Sequence, residues 1–293
     1  MKKNINKLTT FILILIFLAG LSLLLYPTVS DYWNSYTQSK TIASYVQNIT
    51  NIDSEKYDSI IKSAQQYNAS LKNRRNSYLL SEQQQKEYTE LLDITGDGVM
   101  GYVDIPSIDV TLPIYHGTSE KVLQTTVGHL EWTSLPVGGE DTHCVISGHR
   151  GLPSAKLFTD LDKLSEGDVF MLRVLDEVLT YQVDQIRIVE PMDTKDLKLV
   201  PGDDLCTLFT CTPYGVNSHR LLVRGHRIEN IEQSQSARVV SDAIRIDPVI
   251  VAPVVSIPIL LVLLVVLLLP KKSSDSDIVK KIKEGKEDAT DDK

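Results

Sequence analysis

A cysteine at the end of an apolar, β-type run carries the clearest chemical signal in the sequence. Cys211 closes the run that begins at Cys206 and comes just before Thr212-Pro213, where a strand would leave its sheet for a turn. Two arginines, Arg220 and Arg224, follow closely. Because nearby cations favour the thiolate form of cysteine, this setting predicts a nucleophile.

A histidine could serve such a thiol as general acid and base near neutral pH. His149 lies in a glycine-flanked turn upstream of Cys211. Spacing alone leaves this Cys–His interpretation open, because a free cysteine is more often a small buried hydrophobe than a nucleophile. The other histidines could equally be structural; they are His116, His129, His143, His219 and His226.

The remaining cysteines, Cys144 and Cys206, are predicted to be buried hydrophobes. Side chains alternate faces along a strand, so Cys206 and Cys211 should point apart. Three cysteines form neither a disulfide framework nor the paired C-x₂-C pattern of a zinc site. The net charge of −8 argues against a nucleic-acid-binding protein.

Short β-type runs must position these groups. From Gly96 onward, apolar and β-branched segments alternate with Gly and Pro, which predicts seven or eight strands in a closed or nearly closed barrel. Asp176-Glu177 reads as a hairpin turn. Residues 40–92 contain neither Gly nor Pro and predict helices with a polar break at 73–76. A capping box of Ser81 with Gln84 should begin the second helix.

Apolar segments near both ends of the chain, 8–25 and 249–269, are each long enough to cross a bilayer, for which ~20 residues suffice. Lysines lie on the outer flank of each segment, so the positive-inside rule places both termini in the cytoplasm and the region between them outside. The lipid bilayer is therefore an expected partner. A cleaved signal peptide is the alternative for the first segment, although no clear A-x-A site follows it.

These features predict six regions along the chain. They are a membrane anchor at 1–26, a helical section at 27–94, a β-rich catalytic domain at 95–231, a linker at 232–248, a membrane helix at 249–270 and a polar cytoplasmic tail at 271–293.

The motifs around these residues resemble those of sortases, the membrane-anchored transpeptidases of Gram-positive bacteria. Residues 207–211, TLFTC, fit the TLxTC signature, and the strings at 100–117, 147–164 and 212–225 are similar to class C, the pilus-assembling branch. The resemblance covers about 95–230. It implies a mainly β protein with a closed sortase-type barrel of seven to eight strands, an N-terminal helical section and a transmembrane helix at each end.

The resemblance also implies roles for individual residues. Cys211 matches the nucleophile, His149 the general acid and base, and Arg220 the arginine that stabilises the oxyanion and orients the substrate. Thr210 is a candidate contact for the sorting peptide. Arg224 is the rival for the oxyanion role, and the family pattern favours Arg220. Alternation cannot choose between them, because a regular strand from 220 to 224 places both on one face.

The implied reaction is acyl transfer. Cys211 attacks the Thr–Gly carbonyl of an LPxTG-like sorting signal on a pilin or surface protein, and a lysine amine of the next pilin subunit resolves the thioester. Water can replace the amine in a hydrolytic side reaction. No cofactor and no metal are implied. One alternative is a sortase that attaches surface proteins to peptidoglycan. Another is a non-catalytic membrane-tethered scaffold, which should have lost one of the three site residues.

One feature departs from the class C pattern. Class C enzymes often carry a lid with an Asp-Pro-aromatic motif ahead of the barrel, yet no proline occurs between Ser39 and Thr95. Either the lid is missing or another segment, such as 73–80, serves. We therefore expect weaker autoinhibition than in relatives that have the motif.

Overall fold

The structure is a computed structural model that describes residues 2–72 and 78–230, with side chains from residue 9 onward. The predicted linker, C-terminal membrane helix and cytoplasmic tail lie outside the described residues, as does the predicted polar break at 73–76.

Among the described residues, three helices precede the barrel: α1 at Lys2–Ile49, α2 at Ser54–Leu71 and α3 at Glu82–Glu90. Within Thr9–Ile49, α1 is long and apolar enough to cross a membrane by length and composition, with a mean hydropathy of 2.5 in its most apolar stretch. The helix continues through Pro27, which membrane helices tolerate. The predicted division at residue 26 therefore falls inside one helix.

The helix starts follow local capping chemistry. The predicted capping box of α3 is confirmed: the Ser81 hydroxyl accepts from the Gln84 amide at 3.3 Å, and the Gln84 side chain accepts from the Ser81 amide at 2.9 Å. A break between α1 and α2 was not predicted. It arises because the Asp53 carboxylate accepts the Lys56 amide at 2.8 Å and so begins a new helix.

Eight strands in the described part of the chain form a closed barrel, which confirms the prediction of seven or eight. They are β1 at Val99–Ile105, β2 at Val110–His116, β3 at Val127–His129, β4 at Thr142–Ser147, β5 at Val169–Val174, β6 at Glu177–Val189, β7 at Asp204–Thr212 and β8 at His219–Ile228. Their order around the barrel is β1-β2-β3-β4-β7-β8-β6-β5. The pairs β2–β3 and β4–β7 are parallel and the others antiparallel. The parallel β4–β7 pair brings two distant parts of the sequence side by side.

Short elements connect the strands. A one-turn helix, α4 at Glu120–Leu123, precedes β3, and single 3₁₀ turns occupy Pro106–Ile108, Leu161–Lys163 and Lys195–Leu197. The hairpin between β5 and β6 turns at Leu175 and Asp176, because Val174 pairs with Glu177. The turn therefore begins one residue earlier than the Asp176-Glu177 prediction.

The helical section packs into the barrel wall through buried tyrosines. The Tyr45 hydroxyl of α1 donates to the Met100 carbonyl at 2.8 Å and accepts from the Leu175 amide at 2.9 Å. The Tyr88 hydroxyl of α3 accepts from the Gly117 amide at 2.9 Å. Each hydroxyl is thus hydrogen-bonded to backbone groups of the barrel. Apolar side chains of the helices and of the barrel also belong to one hydrophobic core.

Candidate active site

Cys211 lies near the C-terminal end of β7, directly opposite Arg220 of the neighbouring strand β8. Its side chain is half-buried and its thiol is free. The predicted alternation along β7 is confirmed, because Cys206 and Leu208 lie in the main core while Phe209 packs against a separate cluster on the other face. Cys211 shares the face of Phe209 by the two-residue period of a strand.

His149 reaches the same end of the sheet through the parallel pairing of β4 with β7. The register ends with Ser147 beside Phe209. The Gly148 amide then donates to the Phe209 carbonyl at 3.0 Å, and the Thr210 hydroxyl donates to the Gly148 carbonyl at 2.7 Å. The next residues along the two segments are His149 and Cys211. The fold thus gathers Cys211, His149 and Arg220 at one end of the β4–β7–β8 face.

The two arginines of β8 differ in their partners. Arg224 forms a two-pronged ion pair with Asp184 of β6, at 3.0 Å from Nε and 2.9 Å from the second nitrogen. Arg220 bonds to two backbone carbonyls, those of Asn217 at 3.1 Å and His219 at 3.0 Å, and forms no ion pair with a carboxylate of the described residues. Since a guanidinium has five N–H donors, Arg220 keeps donors for a developing negative charge. The geometry therefore favours Arg220 over Arg224.

The sequence model of the sortase domain family matches residues 103–228 of this chain. Among solved structures, sortase C1 from Streptococcus agalactiae is 53% identical, and the match covers 66% of this chain and 100% of that chain with a TM-score of 0.64. The chain belongs to the sortase family.

Further relatives identify the branch of the family. Sortase C from Streptococcus pneumoniae, in a structure that concerns catalysis and pilin substrate specificity, is 47% identical over 65% of this chain and 97% of that chain, with a TM-score of 0.59. Sortase C from Clostridium perfringens, solved with a C-terminal cell wall sorting motif, is 46% identical over 66% and 100%, with a TM-score of 0.58. These matches place the sortase in class C. Sortase D from Bacillus subtilis, a curated relative, is 30% identical to this chain over 131 residues. The chain spans 63% of the length of that relative.

Thr210, predicted as a peptide contact, has an internal partner in the sortase. Thr210 is 1% exposed, and its hydroxyl donates to the Gly148 carbonyl. A buried hydroxyl that bonds the residue before His149 is suited to hold the histidine turn. We therefore propose a positioning role for Thr210 in place of the predicted substrate contact.

Thr210→Val tests this role because it keeps the side-chain shape and removes one hydrogen bond. We expect a roughly tenfold lower kcat for acyl transfer to a sorting peptide, because a displaced histidine turn misaligns the reacting groups. Thr207→Val is the matched control: Thr207 is equally buried in β7, and its hydroxyl bonds His143 at 2.7 Å. Each variant should lose about 1 kcal/mol of stability. Equal kcat values in the two variants would contradict the role.

An apolar floor lies near the end of the sheet that carries Cys211. Val145, Leu197 and Leu222 are buried there, with Phe209 and Trp132 packed against them. Because Phe209 is two residues before Cys211 on the same strand face, this floor leads toward the thiol. A cavity of about 240 Å³ adjoins it, lined by Trp132 and Leu197 among others.

The segment at 73–80, considered as a substitute lid, is described from Tyr78 onward. The Tyr78 ring packs edge-on against Trp132 with the ring centroids 4.9 Å apart, and its hydroxyl lies 2.8 Å from the Thr194 hydroxyl. Tyr78 thus contacts the apolar floor.

Alkylation of Cys211 in the full chain tests the expectation of weak autoinhibition. Cys144 and Cys206 are buried, so iodoacetamide should label Cys211 selectively in the folded protein. We expect the alkylation rate of Cys211 in the Tyr78→Ala variant to be no higher than in the control Leu79→Ala. Leu79 is 84% exposed. Slow labelling of the parent chain with a large acceleration in Tyr78→Ala alone would instead show that this segment is an effective lid.

The other histidines of the sortase have structural surroundings. His116 bonds the Gly98 and Leu91 carbonyls, and burial lowers its pKa. His143 bonds the Lys198 carbonyl and Thr207, and burial lowers its pKa as well. The remaining three lie beside other groups: His129 beside Tyr88, His219 beside Ser218 and Glu190, and His226 beside Asp184. None of these surroundings includes Cys211, whereas His149 follows directly after the residue that Thr210 holds.

The two other cysteines are buried, as predicted. Cys144 of β4 and Cys206 of β7 are paired in register inside the barrel, with 3% and 0% of their surfaces exposed. Burial raises the pKa of Cys206 well above its usual value, which disfavours the thiolate. Within the described residues no group of acidic residues, histidines and cysteines is arranged to hold a metal ion.

Proposed function

We propose that this sortase is a cysteine transpeptidase that cleaves LPxTG-like sorting signals and joins pilin subunits through a lysine amine. The observation that carries the proposal is the strand register. It sets Cys211 directly opposite Arg220, while the bonds of Gly148 to Phe209 and Thr210 bring His149 to the same end of the sheet.

In the first half-reaction, the Cys211 thiolate attacks the carbonyl carbon of the scissile Thr–Gly bond. A carbon–sulfur bond forms, and the carbonyl oxygen gains negative charge. The Arg220 guanidinium provides fixed donors for this oxygen, an interaction often worth about 3–4 kcal/mol when a single donor is removed. His149 then protonates the leaving amine, the carbon–nitrogen bond breaks, and a thioester remains on Cys211.

In the second half-reaction, a lysine amine of the next pilin subunit attacks the thioester carbonyl. His149 accepts the proton that the amine loses, and Arg220 again faces the oxyanion. The carbon–sulfur bond breaks, which releases an isopeptide-linked product and returns Cys211 to its starting state. If water attacks instead, the products are a free carboxylate and the regenerated enzyme.

The apolar floor suits the substrate side of this reaction. An LPxTG-like signal carries apolar residues ahead of its scissile bond. The partly exposed side chains of Phe209 and Trp132, which pack over the buried Val145 and Leu222, offer an apolar surface that leads toward Cys211. Burial of apolar surface there would hold the extended peptide with its Thr–Gly bond over the thiol.

We further propose that the sortase is a two-span membrane protein with both termini in the cytoplasm and the barrel outside. The apolar part of α1 supports the first span. The lysines that flank the segments at 8–25 and 249–269 support the orientation. Substrates tethered to the same bilayer would reach Cys211 at a raised effective concentration.

Attachment of surface proteins to peptidoglycan is the second candidate function within the family. The likeness to a sortase C whose structure concerns pilin substrate specificity favours pilin joining. A non-catalytic scaffold is disfavoured because the cysteine, histidine and arginine are all present in one place.

A competition assay separates these functions. The full chain in lipid vesicles would be given an LPxTG peptide together with equal amounts of a pilin domain and a peptidoglycan-precursor amine. We expect the peptide to appear mainly on the pilin domain, and replacement of the acceptor lysine by arginine to remove that product. Preferential transfer to the precursor amine would favour the anchoring function, and no transfer to either amine would support the scaffold.

A further inference from the structure

Arg150 follows directly after His149, and its charged side chain is almost fully buried. Only 9% of the side chain is exposed. One terminal nitrogen donates to the Thr212 hydroxyl at 3.2 Å, and the other forms an ion pair with Asp162. The Nε of Arg150 is shielded from solvent and has no hydrogen-bond partner among the described residues.

The bond to Thr212 has a particular place in the chain. Before the reacting pair, the Gly148 carbonyl is bonded by the Thr210 hydroxyl. After it, Arg150 is bonded to Thr212. His149 and Cys211 therefore lie between two cross-links, each of which joins the histidine turn to the end of β7.

A third contact supports the same link. Gly151 has φ +76°, and a Cβ placed on it would lie 2.9 Å from the Tyr214 ring. Glycine at this position therefore lets the turn after β7 pack closely against the histidine turn. The segments that follow His149 and Cys211 thus meet at both Arg150–Thr212 and Gly151–Tyr214.

Stability alone gives a weak reason for this arrangement. Burial of a guanidinium costs desolvation free energy. The side chain of its ion-pair partner, Asp162, is 46% exposed, and an ion pair with a solvent-exposed partner adds little stability. An unpaired, solvent-shielded Nε adds a further unfavourable contribution. An arginine kept under these conditions beside the reacting groups points to a role in their geometry.

We propose that Arg150 is a positioning residue for transpeptidation. Its guanidinium ties the histidine turn to the end of β7 and so holds the imidazole of His149 at reacting distance from the Cys211 thiol. The inference rests on the proposed function, and Arg150 acts through these two residues without touching the substrate.

Arg150→Gln tests the proposal in the full chain reconstituted in lipid vesicles, with an LPxTG peptide as substrate. We expect kcat for thioester formation to fall roughly 100-fold with KM unchanged, because small displacements of reacting groups reduce rates by about this factor. The kcat of Arg150→Lys should fall by the same factor. Lysine keeps the charge, but a single ammonium cannot reproduce the forked bridge between Thr212 and Asp162. The lysine variant therefore separates positioning from a simple effect of charge.

Thr212→Val removes the same cross-link from its other end and leaves the ion pair of Arg150 with Asp162 in place. Its kcat should fall as in Arg150→Gln. The double variant should be no worse than Arg150→Gln alone, because the bond between Arg150 and Thr212 is lost in both single variants. If Arg150→Gln does not fold, Thr212→Val carries the test. Arg227→Gln is the control, since Arg227 is a partly buried arginine that lies over the Tyr181 ring. Its thermal stability should fall while its kcat stays normal.

Wild-type kcat values in Arg150→Gln and Thr212→Val would overturn the proposal, as would losses that add in the double variant. A kcat loss in Arg227→Gln equal to that in Arg150→Gln would overturn it too. The assay of Cys211→Ala distinguishes failure of the proposed function from failure of the positioning role of Arg150. An active Cys211→Ala enzyme refutes the proposed function itself, whereas an inactive one beside fully active Arg150 variants refutes only the positioning role.

Discussion

Replacement of Cys211 by alanine is expected to abolish acyl transfer while the barrel stays folded. In the proposed mechanism Cys211 forms the thioester, so its replacement leaves no group for this step, and comparable nucleophile removals lower kcat by more than about 10⁴-fold. Cys211 is half-buried at a strand end and lies outside the main core. The loss of its thiol should therefore change the free energy of unfolding by less than about 1 kcal/mol.

Cys206→Ala is the matched control for this result. Cys206 lies on the same strand but is fully buried inside the barrel. Its truncation should lower stability by about 1–2 kcal/mol because it leaves a small cavity in the core. Its activity per folded molecule should stay normal. Mass spectrometry of the protein after incubation with an LPxTG peptide reads the acyl-enzyme directly, and a peptide adduct on Cys211→Ala would contradict the assignment of the nucleophile.

Much of this architecture follows from local sequence. The two-residue period of β7 predicted that Cys206 and Cys211 point to opposite faces, and the structure confirms it. The capping box at Ser81 is likewise a four-residue signal, and it forms as predicted. Features of this kind depend on neighbours in the chain, so the sequence states them directly.

The remaining features depend on partners that are distant in the chain. Alternation placed Arg220 and Arg224 on one face and could not rank them. The family pattern favoured Arg220, and the structural support for that choice is Asp184, which lies on β6 and engages Arg224 alone of the two. The sequence predicted Thr210 as a substrate contact, because it did not reveal the internal partner of the Thr210 hydroxyl. That partner, the Gly148 carbonyl, becomes adjacent only when β4 pairs with β7.

Arg150 received no role from the sequence. Its position next to His149 was the available signal, but Thr212 and Asp162 approach it only in the folded barrel. The start of α2 was likewise not predicted from the sequence. Asp53 is an effective N-cap, yet the apolar pattern from 40 onward gave no sign that a new helix begins there.

Arg220→Lys should separate the two arginines of β8 by function. We expect kcat to fall roughly 100-fold, because a lysine ammonium does not reproduce the planar fork of donors that we propose for the developing oxyanion. The loss should appear in both half-reactions, since a tetrahedral oxyanion forms in thioester formation and again in attack by the amine. Single-turnover measurements of acyl-enzyme formation and of its resolution by a lysine peptide report the two steps separately.

Arg224→Lys is the comparison that makes this result specific. It keeps the charge beside Asp184 but loses the two-pronged bond, so its thermal stability should fall while kcat stays close to that of the parent enzyme. Both arginines are partly buried on the same face of one strand, so general damage to β8 would lower kcat in both variants. A kcat loss confined to Arg220→Lys therefore assigns the oxyanion contact to Arg220. The reverse pattern, with kcat lost only in Arg224→Lys, would transfer that role to Arg224 and make its bond to Asp184 part of the catalytic arrangement.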